Sequence, residues 1–141
     1  MSVSRTVYLY RARFPQLADL DNALRANGLC LQATDHIDLR SHSGFLPCLF
    51  KDAATGFEFL PEAAREKEID DDMRDEISDA IGGRDVAIGF VARDALSVSA
   101  ALVAACVVCE LVDGVLFDDE SAGLFAASEV RALLDGEGEG G

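Results

Sequence analysis

Apolar and polar positions alternate near the start of the chain. In "RTVYLYRARF", Val7 and Leu9 fall on one side and Tyr8, Tyr10 and Ala12 on the other, which predicts a strand buried on both faces. The period then lengthens. In "PQLADLDNALRANG", Leu17, Leu20, Ala23 and Leu24 recur at helical spacing; Pro15 stands where a missing N–H costs nothing, and Asn27-Gly28 is a C-terminal stop. "LCLQA" follows as a second strand. The same order returns later, with "RDVAIGFVA" as a strand, "RDALSVSAALVAACVVCELVDG" as a helix ending at Gly114, and "VLFD" as a strand. Each strand-helix-strand unit would have parallel strands if both join one sheet.

Between the units, "SGFLPCLFKDAATGFEFLPEAA" places two apolar runs around the polar turn "KDAATG", a β-hairpin signal. Phe57 and Phe59 share a face, and Glu58 points the other way. Beyond Pro61 the pattern predicts a helix from Glu62 to Ile81, stopped by Gly82-Gly83. Ile69, Met73, Ile77 and Ile81 give it a single apolar stripe. In the tail, a turn leads to a short strand at Leu124 and Phe125, then to a helix with Ser128 as its N-cap. The expected architecture is one α+β domain over residues 1–135. Its core is a mixed sheet of five or six strands, with the alanine-rich helix buried on one face, the first helix beside it and an additional acidic helix. Residues 136–141, "GEGEGG", have nothing to bury and are expected to be a disordered tail.

Composition changes the picture through charge. The 141 residues hold 26 acids and 12 bases, a net charge of −14. Binding to DNA, RNA or an anionic membrane depends on Lys and Arg, so those partners are disfavoured. A basic protein would be drawn in and its encounter accelerated. The acids gather in two places. "EKEIDDDMRDEISD" contains Asp70, Asp71, Asp72, Asp75, Glu76 and Asp79; the second cluster is Asp118, Asp119 and Glu120. Each reads plainly as a solvated surface, and both together as one patch for a cationic partner if the fold brings them side by side. The N-terminal segment is broken by Arg5, Arg11 and Arg13 and offers no signal-peptide core. The longest apolar run has only fifteen residues between Asp94 and Glu110, short of the roughly 20 of a membrane span, so a buried helix and a cytoplasmic location are expected.

Catalytic constellations are scarce. The two histidines, His36 and His42, lie in one loop with Asp38, and no GxSxG elbow or HExxH motif accompanies them. His36, Asp38 and His42 are the one conceivable catalytic or metal-binding centre, but their irregular spacing suits a hydrogen-bonding role better. Cys106 and Cys109 form a CxxC, yet they sit near the end of a long helix, where the dipole opposes thiolate formation; packing explains them better than redox chemistry. Cys30 and Cys48 lack the spacing to complete a zinc site. The acidic run lacks the glycine of a calcium loop, and "IGGRD" lacks the lysine of a phosphate loop. No catalytic residue, metal or cofactor is expected.

Three segments together carry a resemblance. "SGFLPCLF" with "TGFEF" close behind, and an alanine-rich helix running into "DGVLFDDESAGLFAASEV", resemble small bacterial immunity proteins of type VI secretion and related polymorphic toxin systems. The likeness rests on packing and turn motifs. It implies a non-enzymatic cytoplasmic protein that binds a cognate toxin and occludes its active site; it names no contact residue. The contact region is therefore inferred from charge, as the two acidic clusters, with Phe45, Phe57 and Phe59 as candidate apolar anchors. The alternatives are an adaptor or chaperone for a secreted protein, or a small regulatory ligand-binding domain. An enzyme ranks behind both.

Overall fold

The computed structural model describes residues 2–32, 38–64, 74–119, 121 and 123–134. Its strands are β1 (Val3–Leu9), β2 (Leu29–Leu31), β3 (Gly44–Phe50), β4 (Ala53–Ala63), β5 (Val86–Ala92), β6 (Val115–Asp118) and β7 (Gly123–Ala126). Its helices are α1 (Leu17–Arg25), α2 (Arg74–Ile81) and α3 (Ala95–Val112). All seven strands join one sheet in the order β2-β3-β4-β5-β1-β6-β7, each neighbouring pair antiparallel.

The fold is α+β, as the chain's periodicity predicts. The sheet exceeds five or six strands, and no two neighbours among these seven are parallel. Strand order explains the difference. β5 and β6, joined by α3, do run in one direction, but β1 lies between them and pairs antiparallel with both, giving a split βαβ unit. β1 and β2 likewise flank α1 in sequence and are separated in the sheet by β5, β4 and β3.

Alternation sorts the side chains between two faces. Val7, Leu9, Phe57, Phe59, Ile88, Phe90 and Leu116 point to the face covered by α3 and α1. The Phe59 and Phe90 rings meet edge to face, with centroids 5.6 Å apart. Helix α3 is long and apolar enough by composition to cross a membrane, but here it is the core helix, with Ala100, Ala104, Ala105, Cys106, Val108 and Cys109 buried. Asp94 accepts a hydrogen bond from the Ser97 amide at 2.9 Å, and Ser97 Oγ accepts from the Asp94 amide at 3.1 Å, closing a reciprocal capping box. At the other end Asp113 takes a left-handed conformation, and the Gly114 amide donates to the Cys109 carbonyl at 2.9 Å.

Three local expectations are corrected. The hairpin turn is the two-residue Lys51-Asp52, both with positive φ, the form that matches strand twist; the rest of "KDAATG" belongs to β4. Glu62 and Ala63 are in β4 rather than in a helix. Pro61 is tolerated there because β3 ends with Gly44 opposite Phe59, so beyond that point β4 has a neighbour only in β5. Finally, the tail's last helical turn starts at residue 130, not Ser128, and Glu129 supplies the local side-chain acceptor, to the Ala126 amide at 2.8 Å. Ile69, Met73 and the 136–141 tail lie outside the described residues.

Candidate functional site

The second face of the sheet carries the alternate residues: Ser4, Thr6 and Tyr8 of β1, Glu58, Leu60 and Glu62 of β4, Ala87 and Val91 of β5, and Phe117 of β6. Only α2, among the described helices, lies on it. Ile77 is 2 % exposed and packs with Tyr8 and Ala87, while Ile81, Phe117 and Leu124 close around them. One stripe of isoleucines thus fixes the helix, and its other sides face water. The arrangement presents Asp75, Glu76 and Asp79 to solvent. Arg84 holds the end of the helix. Its Nη1 donates to the Ile81 carbonyl at 3.2 Å, its Nη2 to the Asp113 carbonyl at 2.9 Å, and its guanidinium lies over the Tyr10 ring.

The second predicted cluster is divided by the pleat. Asp119 is exposed on the α2 side; its carboxylate accepts from Ser4 Oγ and its amide donates to the Ser4 carbonyl at 3.3 Å. Asp118 points to the other face, where it is 8 % exposed and lies 3.8 Å from Arg5 Nε. As folded, its carboxylate is not presented to solvent. Asp70, Asp71, Asp72 and Glu120 lie outside the described residues.

Two acids that inspection of charge runs passes over, Glu58 and Glu62, join Asp75, Glu76, Asp79 and Asp119 on this side of the sheet. Glu58 was legible from its alternation with Phe57 and Phe59. Glu62 was hidden by its assignment to a helix. Tyr8 reports on this field from below: burial, then Asp119, then Glu62 push its phenol up to about 12.

Charge pairing also differs between the two sides. Among the described residues the ion pairs are Arg25–Asp21 at 3.1 Å, Arg131–Glu110 at 2.5 Å and Arg5–Asp118 at 3.8 Å, all on the side of α1 and α3. Arg131 also donates to Asn27 Oδ1 at 2.9 Å, tying α1 and α3 to the last helical turn. Glu58, Glu62, Asp75, Glu76, Asp79 and Asp119 have no ion pair among the described residues; Arg74, which opens α2, is the basic residue closest to them in sequence.

At the β3–β4 edge this acidic face runs into an apolar groove of about 620 Å³. Phe45, Gly56, Glu58 and Val91 line it from the sheet, and Arg93, Asp94 and Leu96 from the start of α3. Phe45 is 58 % exposed and Leu96 37 %, whereas Phe57 and Phe59 are core residues. Of the three aromatic anchors proposed from sequence, Phe45 alone reaches the surface. His42 supports its backbone: Nε2 lies 3.1 Å from the Phe45 carbonyl, which can only accept, so that nitrogen carries the proton. Asp38 accepts through its carbonyl from the His42 amide at 2.8 Å. His36 is outside the described residues, and among those described no group of three His, Cys, Asp or Glu converges on a metal position. Burial pushes the Cys106 and Cys109 thiols up to about 12, the opposite of what a redox pair requires.

Comparison with known protein families, with curated protein sequences and with solved structures finds no match.

Proposed function

We propose that this protein acts by binding another protein: an immunity protein of the cytoplasm that neutralises a cognate, basic bacterial toxin by covering its active site or a neighbouring cationic surface. The observation that carries this reading is the segregation of charge. Acids on the α1–α3 side are paired with arginine, while those around α2 are left unpaired and exposed. Mutual repulsion on such a face costs stability, and a cationic surface facing it would relieve that repulsion. Steering by a face of this kind raises association rates by roughly 10- to 1000-fold at low salt. The split fate of Asp118 and Asp119 narrows the proposed contact set to Glu58, Glu62, Asp75, Glu76, Asp79 and Asp119 among the described residues.

The test is co-expression with a toxin domain encoded beside this gene. The wild-type protein should restore growth, and purified toxin should associate with it at a rate that falls steeply with ionic strength. The triple replacement Asp75→Lys, Glu76→Lys and Asp79→Lys should slow association at least tenfold and abolish protection at low expression. Protection and association rate indifferent to both salt and charge reversal would defeat the reading.

A further inference from the structure

Exposed carboxylates speed encounter but add little net affinity in water, so a lasting complex needs a desolvated apolar anchor. We propose that the groove walled by Phe45, Val91 and Leu96 is that anchor site, and that its occupant is an apolar side chain of the cationic partner, with flanking basic residues lying along Glu58 and Glu62; this rests on the acidic-face reading above.

Three observations lead there. First, Phe45 and Leu96 come from β3 and α3, far apart in sequence, and both stay exposed at one concavity. The remaining large exposed apolar side chains among the described residues are Tyr10 and Leu111, neither of which lines this groove. Convergent exposed apolar groups mark an interaction site, whereas isolated ones do not. The volume of about 620 Å³ falls within the usual range for ligand sites.

Second, the register sets a carboxylate between apolar walls. Glu58 pairs with Phe45 on β3 and with Val91 on β5. A basic group reaching Glu58 would therefore lay its aliphatic stem on apolar surface and, beside the Phe45 ring, gain a cation–π contact. Glu62 follows on the same face of β4, roughly 13 Å further along, so the acidic track leads away from the groove.

Third, the other end of the groove fixes polarity. Asp94 is engaged as the α3 cap, and Arg93 stands beside it. A second cation is disfavoured at that end, so the bound segment's basic residues run toward Glu58 and Glu62.

The probes are three blocked peptides, Lys-Lys-Phe-Lys-Lys, Lys-Lys-Gly-Lys-Lys and Glu-Glu-Phe-Glu-Glu, titrated into the ¹⁵N-labelled protein at low salt. The basic phenylalanine peptide should shift the amides of Phe45, Gly56, Glu58, Val91 and Leu96 and bind about tenfold more tightly than the glycine peptide, the gain from burying one aromatic side chain. The acidic peptide should bind more weakly than either. Phe45→Ser and Leu96→Ser should each erase the advantage of phenylalanine over glycine and leave the glycine peptide's affinity unchanged. Leu96, exposed in the first turn of α3, keeps the test valid if the Phe45 variant is poorly folded. Equal binding of the two basic peptides, an advantage that survives Leu96→Ser, or preference for the acidic peptide would overturn the anchor. If the glycine peptide binds in a salt-sensitive way and phenylalanine adds nothing, the anchor alone falls. If neither basic peptide binds, the acidic-face reading falls with it.

Discussion

The ring of Phe45 fills the place where Gly56 has no side chain: a Cβ on Gly56 would stand 2.2 Å from Phe45 Cζ and 2.7 Å from the Leu46 carbonyl oxygen. An aromatic on one strand thereby covers a glycine on its neighbour, sealing backbone that would otherwise be wet. The Leu46 carbonyl cannot swing aside as a ring can. Gly56→Ala should therefore cost about 1–3 kcal/mol in urea denaturation and turn Phe45 out of the groove. In Phe45→Ser, where the ring is gone, the backbone contact persists, so the same glycine replacement should still be costly. Full tolerance of alanine in that background would show that the ring alone required glycine.

Helix α2 depends on Ile77, its one fully buried side chain among the described residues. Ile77→Ala should cost about 2–4 kcal/mol and remove hydrogen-exchange protection from α2 before the rest of the sheet. The change also uncovers Tyr8, whose phenol is held up to about 12 chiefly by burial. Its midpoint, followed by ultraviolet absorbance, should fall toward the usual value near 10. An unchanged midpoint would mean that something other than α2 keeps Tyr8 dry.

The buried thiols make the fold sensitive to alkali. Burial pushes Cys48 up to about 11 and Cys106 and Cys109 up to about 12, against 9.0 for a free thiol. In the unfolded chain these protons leave near pH 9, whereas the folded protein retains them, so stability is lost as pH rises from 9 toward 11–12. The slope is at most about 1.4 kcal/mol per pH unit for each thiol. Cys106→Ala and Cys109→Ala should lower stability at pH 7.5 through the space they leave, yet flatten the decline above pH 9. A decline equally steep in the double variant would assign alkaline unfolding to other groups.

Asp118 and Asp119 are adjacent in sequence and opposite in consequence. Asp118→Ala leaves the Arg5 guanidinium, its side chain 12 % exposed, beside an apolar core and should cost about 3 kcal/mol. Asp119→Ala loses an exposed contact with Ser4 and should cost about 1 kcal/mol or less. Asp75→Lys, Glu76→Lys and Asp79→Lys should each stay within about 0.5 kcal/mol of wild type, because no ion pair among the described residues is broken. Denaturation midpoints of the five single variants test the ranking. A large loss in any α2 variant would mean that its carboxylate holds the fold and is not free for a partner.

Much of this arrangement was legible along the chain. The strand at Val7 and Leu9, the amphipathic helix around Leu20 and Leu24, and the buried helix from Ala95 all follow from apolar period, because burial of one face is decided within a few residues. Pro61 misled, since proline ends a helix or edge strand equally well; its place in β4 depends on where β3 stops. Phe45, Phe57 and Phe59 look alike in sequence. They part because Phe45 has the opposite parity in the sheet, and parity depends on registers with β4 and β5 that no local pattern records.

The sequence by itself determined which segments form strands and helices, that half the chain is hydrophobic and must be buried, and that the molecule carries a large excess of negative charge. Those properties are sums over residues or patterns within one turn or one pleat, and they need no knowledge of distant neighbours. The tertiary structure decided that β1 sits between β5 and β6, that Asp118 and Asp119 part company, and that arginines neutralise the acids near α1 and α3 but not those around α2. Each of these depends on contacts between residues far apart in the chain, where strand order and register, rather than composition, determine which charge meets which.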